Sequence, residues 1–342
     1  MVLLAGLVAW NPGVLAVPPP ATVRIPAPEI LSPRALSTGV QRAVPARLKA
    51  IVQLKGLQLP LPRTQGQAVV PLVLLPRTQV FTFMATLGGQ TGWFLLDTGA
   101  STSMVSTPWV QRLQLKGEPI PRDRLAYAVA GDECTEGLSA TLHRLPPLLL
   151  SGAQVEGLQA LQFANTVIPE GIAGVMGMDV LSQFDLHVIP KVQELRLLPP
   201  TPLPAVAIDR AIPLQKKLGV MLASLKVNGQ GPFTFLLDTG ADSTFISQRM
   251  AQQLQLERRT PIKIRGFCGV EMAERSRLTS VQLQQHQRHD VDTIILSSSI
   301  LKVLGVDGIL GQNFLNHYQQ YWRFHPNSET NLPFQGTLIL TP

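Results

Sequence analysis

At 342 residues the chain is long enough for two domains with sizeable cores. Hydrophobic residues at 45% and charged residues at 15% exclude a disordered chain, and 29 prolines with 27 glycines weigh toward short strands and turns over long helices. The net charge of +7 sits almost wholly in residues 1–66, where seven basic groups face one acid. The remainder is nearly neutral and lacks the basic stripe that a nucleic-acid binder needs, so no nucleic-acid partner is expected.

Residues 1–23 carry no charged side chain. The apolar run Val2–Trp10 and the small residues around Val14-Leu15-Ala16 read as an export signal over residues 1–16, without the usual positive start. That reading makes the protein exported, periplasmic or secreted; the alternative is a cytoplasmic protein with an apolar tail. Asn11, Pro12 and three consecutive prolines cut the run short of ~20 apolar residues, so no membrane span is expected. Residues 17–66 are proline-rich and basic and read as an extended linker or a pro-segment. A short echo, Leu61-Pro62-Arg63-Thr64-Gln65 and Leu75-Pro76-Arg77-Thr78-Gln79, reads as repeated extended segments.

A larger repeat follows, over lobes 67–199 and 206–342 joined by a proline-rich linker at 200–205. Val80–Leu87 reads as a strand, Gly88-Gly89 as a tight turn and Gly92–Leu96 as the returning strand. Val220–Val227, Asn228-Gly229 and Pro232–Leu237 repeat that order. Each hairpin runs into the same seven residues, Phe94-Leu95-Leu96-Asp97-Thr98-Gly99-Ala100 and Phe235-Leu236-Leu237-Asp238-Thr239-Gly240-Ala241. Thr107–Leu115 and Gln248–Leu256 then carry apolar residues at helical spacing. A second pair of motifs, Gly174-Val175-Met176-Gly177-Met178-Asp179-Val180-Leu181 and Gly308-Ile309-Leu310-Gly311-Gln312-Asn313-Phe314-Leu315, predicts close backbone packing and a helix starting just after each, and differs in Asp179 against Asn313. Glu194–Leu198 and Gly336–Thr341 read as closing strands.

These motifs resemble the retropepsin-like aspartic proteases, particularly the bacterial-type aspartyl protease family, over roughly residues 67–342. The resemblance implies an all-β fold of two small closed β-barrel lobes, each giving one aspartate across a pseudo-twofold axis. It implies a monomer whose lobes form an intramolecular pseudo-dimer, acting on peptide or protein substrates without metal or cofactor. Asp97 and Asp238 are the catalytic pair on this reading. Thr98 and Thr239 would clamp the two turns, and Gly99 and Gly240 would bring amides to the carboxylates. Ala100, Ser101, Ala241 and Asp242 would hold substrate, with Gly131 and Gly266 in flaps at Tyr127–Gly137 and Ile264–Met272. Asn313 stands where the family often has an Arg-Asn pair, but Gln312 replaces the arginine.

Peptide hydrolysis without a nucleophilic side chain needs a base for water and a proton donor for the carbonyl. Two close carboxyls supply both by sharing a proton. The alternative on the same fold is a non-catalytic module that binds peptides by strand addition. The basic segment 17–66 is expected to mask the acidic cleft until removed. Two cysteines are too few for a disulfide framework or a multi-cysteine zinc site. Cys134 and Cys268 fall in the two flap candidates, either as unrelated thiols or as a contact between flap tips. His286, His289, Asp290 and Asp292 read as a solvated loop rather than a metal cluster. Ser297-Ser298-Ser299 lacks a nucleophile elbow.

Overall fold

The structure, a computed structural model, describes residues 50–54, 59–129, 139–163, 168–202, 205–257, 259–266, 269–296, 300–324 and 335–342. Strands dominate, and the α-helices among the described residues are at most six residues long. The fold is all-β with two lobes, each entered through a hairpin. In the first, Phe81–Leu87 pairs antiparallel with Gln90–Leu96; in the second, Val220–Val227 pairs with Gln230–Leu237. Gly88 and Gly89 turn the first at φ 58° and 78°, and Asn228 and Gly229 turn the second at φ 50° and 75°. Two consecutive positive φ values fit the right-handed twist of the strands they join, and glycine and asparagine tolerate them.

Beyond the hairpin, each lobe threads a short strand between two others. Ile172–Met176 runs parallel to Gln90–Leu96 and antiparallel to Met104–Val105. Gly308–Leu310 does the same between Gln230–Leu237 and Thr244–Ser247. The fit is close enough that a Cβ on Gly174 would stand 2.3 Å from the Met104 carbonyl oxygen. One on Gly311 would stand 2.2 Å from that of Ser243. A one-turn helix follows each, Met178–Leu181 and Gln312–Leu315. The helices Thr107–Arg112 and Gln248–Gln253 lie in the segments whose spacing predicts them, the first with proline in its first turn.

A six-stranded sheet draws three strands from each lobe. Its order is Ala68–Leu74, Glu194–Leu198, Asp185–Ile189, Gln319–Arg323, Gly336–Thr341 and Ile212–Lys217. Its central junction pairs Leu186 with Trp322, both buried, so the lobes share a core as well as a ladder. Arg323 donates to the Thr201 and Pro202 carbonyls and holds the start of the linker against this sheet.

The structure differs from the sequence reading in three places. The segment read as linker contains two strands: Ala50–Leu54, paired with Leu125–Val129, and Arg63–Gly66, paired with Ala153–Glu156. Distant partners supply the hydrogen bonds, which a proline-rich local pattern does not announce. The second half of the echo is a turn, with Arg77 at φ 64° and Leu75 N–H bonded to the Val80 carbonyl at 2.9 Å. Finally, His286 to Asp292 lie in a strand, His286–Leu296. Gln287, His289 and Asp290 are exposed, and Asp292 pairs with Arg275 and Arg277. Among the described residues no group of three potential metal ligands gathers, and no helix is long and apolar enough to cross a membrane. Gly131, Cys134, Cys268 and Ser297-Ser298-Ser299 lie outside the described residues.

Candidate active site

Each Asp-Thr-Gly turn begins where a buried strand runs out. Phe94, Leu95 and Leu96 are buried, as are Phe235, Leu236 and Leu237. The threaded strand holds the next residue by its backbone: Asp97 N–H donates to the Met176 carbonyl at 3.2 Å, and Asp238 N–H to that of Leu310 at 3.0 Å. The second motif of each lobe therefore fixes the first.

Across the lobe junction the turns clasp each other. Thr98 Oγ1 donates to the Leu237 carbonyl at 3.0 Å, and Thr239 Oγ1 to the Leu96 carbonyl at 2.9 Å. Each hydroxyl also accepts the other threonine's amide at 3.0 Å. Both residues are fully buried, so all four bonds are shielded from water, where losing a partner is costly.

The carboxyls then face each other. Gly99 N–H donates to Asp97 Oδ1 at 2.8 Å, and Gly240 N–H to Asp238 Oδ1 at 2.8 Å. A Cβ on Gly99 would stand 2.4 Å from Asp238 Cγ, and one on Gly240 would stand 2.4 Å from Asp97 Cγ. Each glycine thus makes room for the aspartate of the opposite lobe, and no other residue fits there. Burial pushes the Asp97 carboxyl well above the usual carboxylate range. The Asp238 charge and a hydrogen bond with Asp238 raise it further, against the lowering effect of the Gly99 and Ala100 amides. Such a pair holds a proton between its members through the pH range where a lone carboxylate has lost its own.

The residues after the turns are less alike. Ala100 and Ala241 are fully buried, and their carbonyls accept from Met178 N–H at 2.8 Å and Gln312 N–H at 2.7 Å. Ser101 is half-buried and Asp242 buried. Gly266 ends the strand Thr260–Gly266, which pairs with the strand Gly269–Leu283 in the second lobe's long hairpin. In the first lobe Asp179 accepts Ser103 N–H at 2.9 Å, Ser103 Oγ–H at 2.6 Å and Val180 N–H at 2.9 Å. Ser103 Oγ in turn accepts Gly177 N–H at 3.0 Å. Asp179 is pushed up to about 6 by burial, against the lowering effect of those three donors. The second lobe uses neutral groups at the matching positions: Thr244 Oγ1 donates to Asn313 Oδ1 at 2.8 Å, and Asn313 Nδ2 to the Asp292 carbonyl at 2.8 Å. Sequence reasoning passed over this network. The contrast of Asp179 with Asn313 in the two second motifs was its available signal.

Two hollows flank the turns at matching places. Ser101, Thr102, Leu158, Gln159 and Asp179 line a cavity of about 220 Å³. Asp242, Ser243, Asp292, Thr293 and Asn313 line one of about 370 Å³. Each is closed by the other lobe's entry loop, with Gly219 against Ser101 and Thr78 beside Asp242.

Two family models match in tandem. One, described as an aspartyl protease, covers residues 83–180, and the other, described as a gag-polyprotein putative aspartyl protease, covers residues 223–317. Each match spans a hairpin, an Asp-Thr-Gly turn and a threaded strand. No curated protein matches the chain. Two tandem matches over one motif set per lobe make this chain a member of the retropepsin-like aspartic proteases, with both lobes in a single polypeptide.

Proposed function

We propose that the protein is an aspartic endopeptidase in which Asp97 and Asp238, one from each lobe, act as a single proton-sharing pair. The observation that carries this reading is the reciprocal packing of each aspartate against the other lobe's glycine, with the Asp97 carboxyl raised well above the usual carboxylate range by burial and by Asp238. The ionised member takes a proton from water as its oxygen bonds to the peptide carbonyl carbon. The protonated member gives its proton to the carbonyl oxygen. In the collapse that follows, the C–N bond breaks, the leaving nitrogen takes a proton and the pair returns to its singly protonated state. The pair titrates as a unit, so neither role belongs permanently to either residue. No metal or cofactor enters this chemistry.

The substrate is a peptide in extended form, and the working unit is a monomer. Cleavage of a peptide library by wild type beside Asp97→Asn and Asp238→Asn tests the reading. Each substitution should lower kcat/KM by about 10²- to 10⁴-fold with peptide binding retained. A wild type that binds peptides and cuts none from acid to neutral pH would instead be a peptide-binding module.

A further inference from the structure

We infer that the chain's own Leu59-Pro60-Leu61-Pro62 segment closes one end of the peptide groove, so that substrates are recognised from the second-lobe side alone. The inference rests on the peptidase reading above. It comes from comparing the two hollows that flank the turns. Their walls share equivalent residues: Ser101 and Thr102 answer to Asp242 and Ser243, Asp179 to Asn313 and, by the register of the strands, Gln159 to Asp292. Among the described residues, the stretch from Leu59 to Pro62 has no second-lobe counterpart. Leu59 to Pro62 line the first-lobe hollow, which is the smaller at about 220 Å³ against about 370 Å³. The second-lobe hollow is lined in addition by Ile262 and Arg275 of its long hairpin.

The segment is held on both sides. Upstream, Ala50–Leu54 lies along Leu125–Val129, the strand that leads into the first flap candidate. Downstream, Arg63–Gly66 lies along Ala153–Glu156. Pro62 is buried, and Leu59 and Pro60 also line the adjoining hollow beside Pro119 and Leu142, so the segment stands as a partition between two cavities. Pro60 and Pro62 carry no N–H, so an incoming peptide cannot add to this stretch as it would to an open strand edge. Both flanks of the segment pair with strands of the first lobe, so the partition is built into that lobe.

The test uses full-length wild type and fluorescent peptides built on one cleaved sequence, lengthened a residue at a time on either side of the scissile bond. Lengthening on one side should raise kcat/KM by about tenfold or more, and on the other by less than about twofold. In full-length protein carrying Pro60→Gly with Leu61→Gly, lengthening on the indifferent side should begin to raise the rate. Mass spectrometry of the active form should find an N-terminus before Leu59. Equal gains on both sides in wild type, or an active form that begins after Pro62, would overturn the inference and leave the peptidase reading standing. Cleavage that survives Asp97→Asn would instead overturn the peptidase reading and this inference with it. The wild-type series decides the matter even if the double variant does not fold.

Discussion

Asp179 and Gln312 show how single residues set this protein's response to pH and its margin of stability. The folded-state pKa of Asp179 is raised from 3.8 to about 6, so the folded chain binds a proton more tightly than the unfolded one. The resulting stability is fully present below pH ~3.8 and is lost as pH rises through ~6, a span worth up to about 3 kcal/mol. Asp97 is raised as well and acts in the same direction. The melting temperature should therefore climb as pH is lowered from 7.5 to 5, and Asp179→Asn should flatten part of that climb. Scanning calorimetry over a pH series would show it, and a variant with the wild-type slope would contradict it. Gln312 is fully buried, and its side-chain amide finds no hydrogen-bond partner among the described residues. Its first-lobe counterpart is Met178, also buried. Gln312→Met should raise unfolding stability by about 1–3 kcal/mol in urea melts, the usual cost of a buried unpaired polar group. The two seven-residue Asp-Thr-Gly stretches were legible in the sequence because their chemistry is local. The Asp179–Ser103 bonds were not, because they span 76 residues and depend on how two loops meet.

At the scale of elements, hairpins and threaded strands explain which glycines are irreplaceable. A Cβ on Gly174 would meet backbone on a neighbouring strand, which cannot move without parting the sheet. Gly89 sits in a turn with φ 78° and open space around it. Gly174→Ala should cost more than about 3 kcal/mol or prevent folding. Gly89→Ala should cost only about 1 kcal/mol of backbone strain. Equilibrium unfolding of the two variants checks the contrast, and similar losses would count against the close-packing account. The hairpins were readable because Gly-Gly and Asn-Gly state their turn type within two residues. The strands Ala50–Leu54 and Arg63–Gly66 were hidden, because proline-rich surroundings mask them and their partners lie 70 or more residues away.

For the whole molecule, the shared six-stranded sheet is the main tie between the lobes. Three strands from each lobe and the buried Trp322 make separation costly, since it would expose both a ladder and a core. A protease site inserted after Thr201 should therefore yield, after cutting, two fragments that still elute as one body and retain most of the activity. The uncut protein should scatter light as a monomer. Fragments that part on size-exclusion chromatography at low micromolar concentration would show that the linker, and not the sheet, holds the lobes together. This sheet could not be read in advance: the closing strands were visible as strands, but nothing local says that Asp185–Ile189 pairs with Gln319–Arg323.

The clasp between Thr98 and Thr239 also has a meaning for how the protein is made. Translation delivers Asp97 long before Gly240, the residue that must stand behind it, and Thr98 before the Leu237 carbonyl it binds. A nascent first lobe on the ribosome carries a carboxylate with no partner and no clamp. If Asp97 and Asp238 form the catalytic pair as proposed, the chain holds no complete centre of its own until the second lobe has emerged and folded against the first. The order of synthesis would then itself postpone the chemistry.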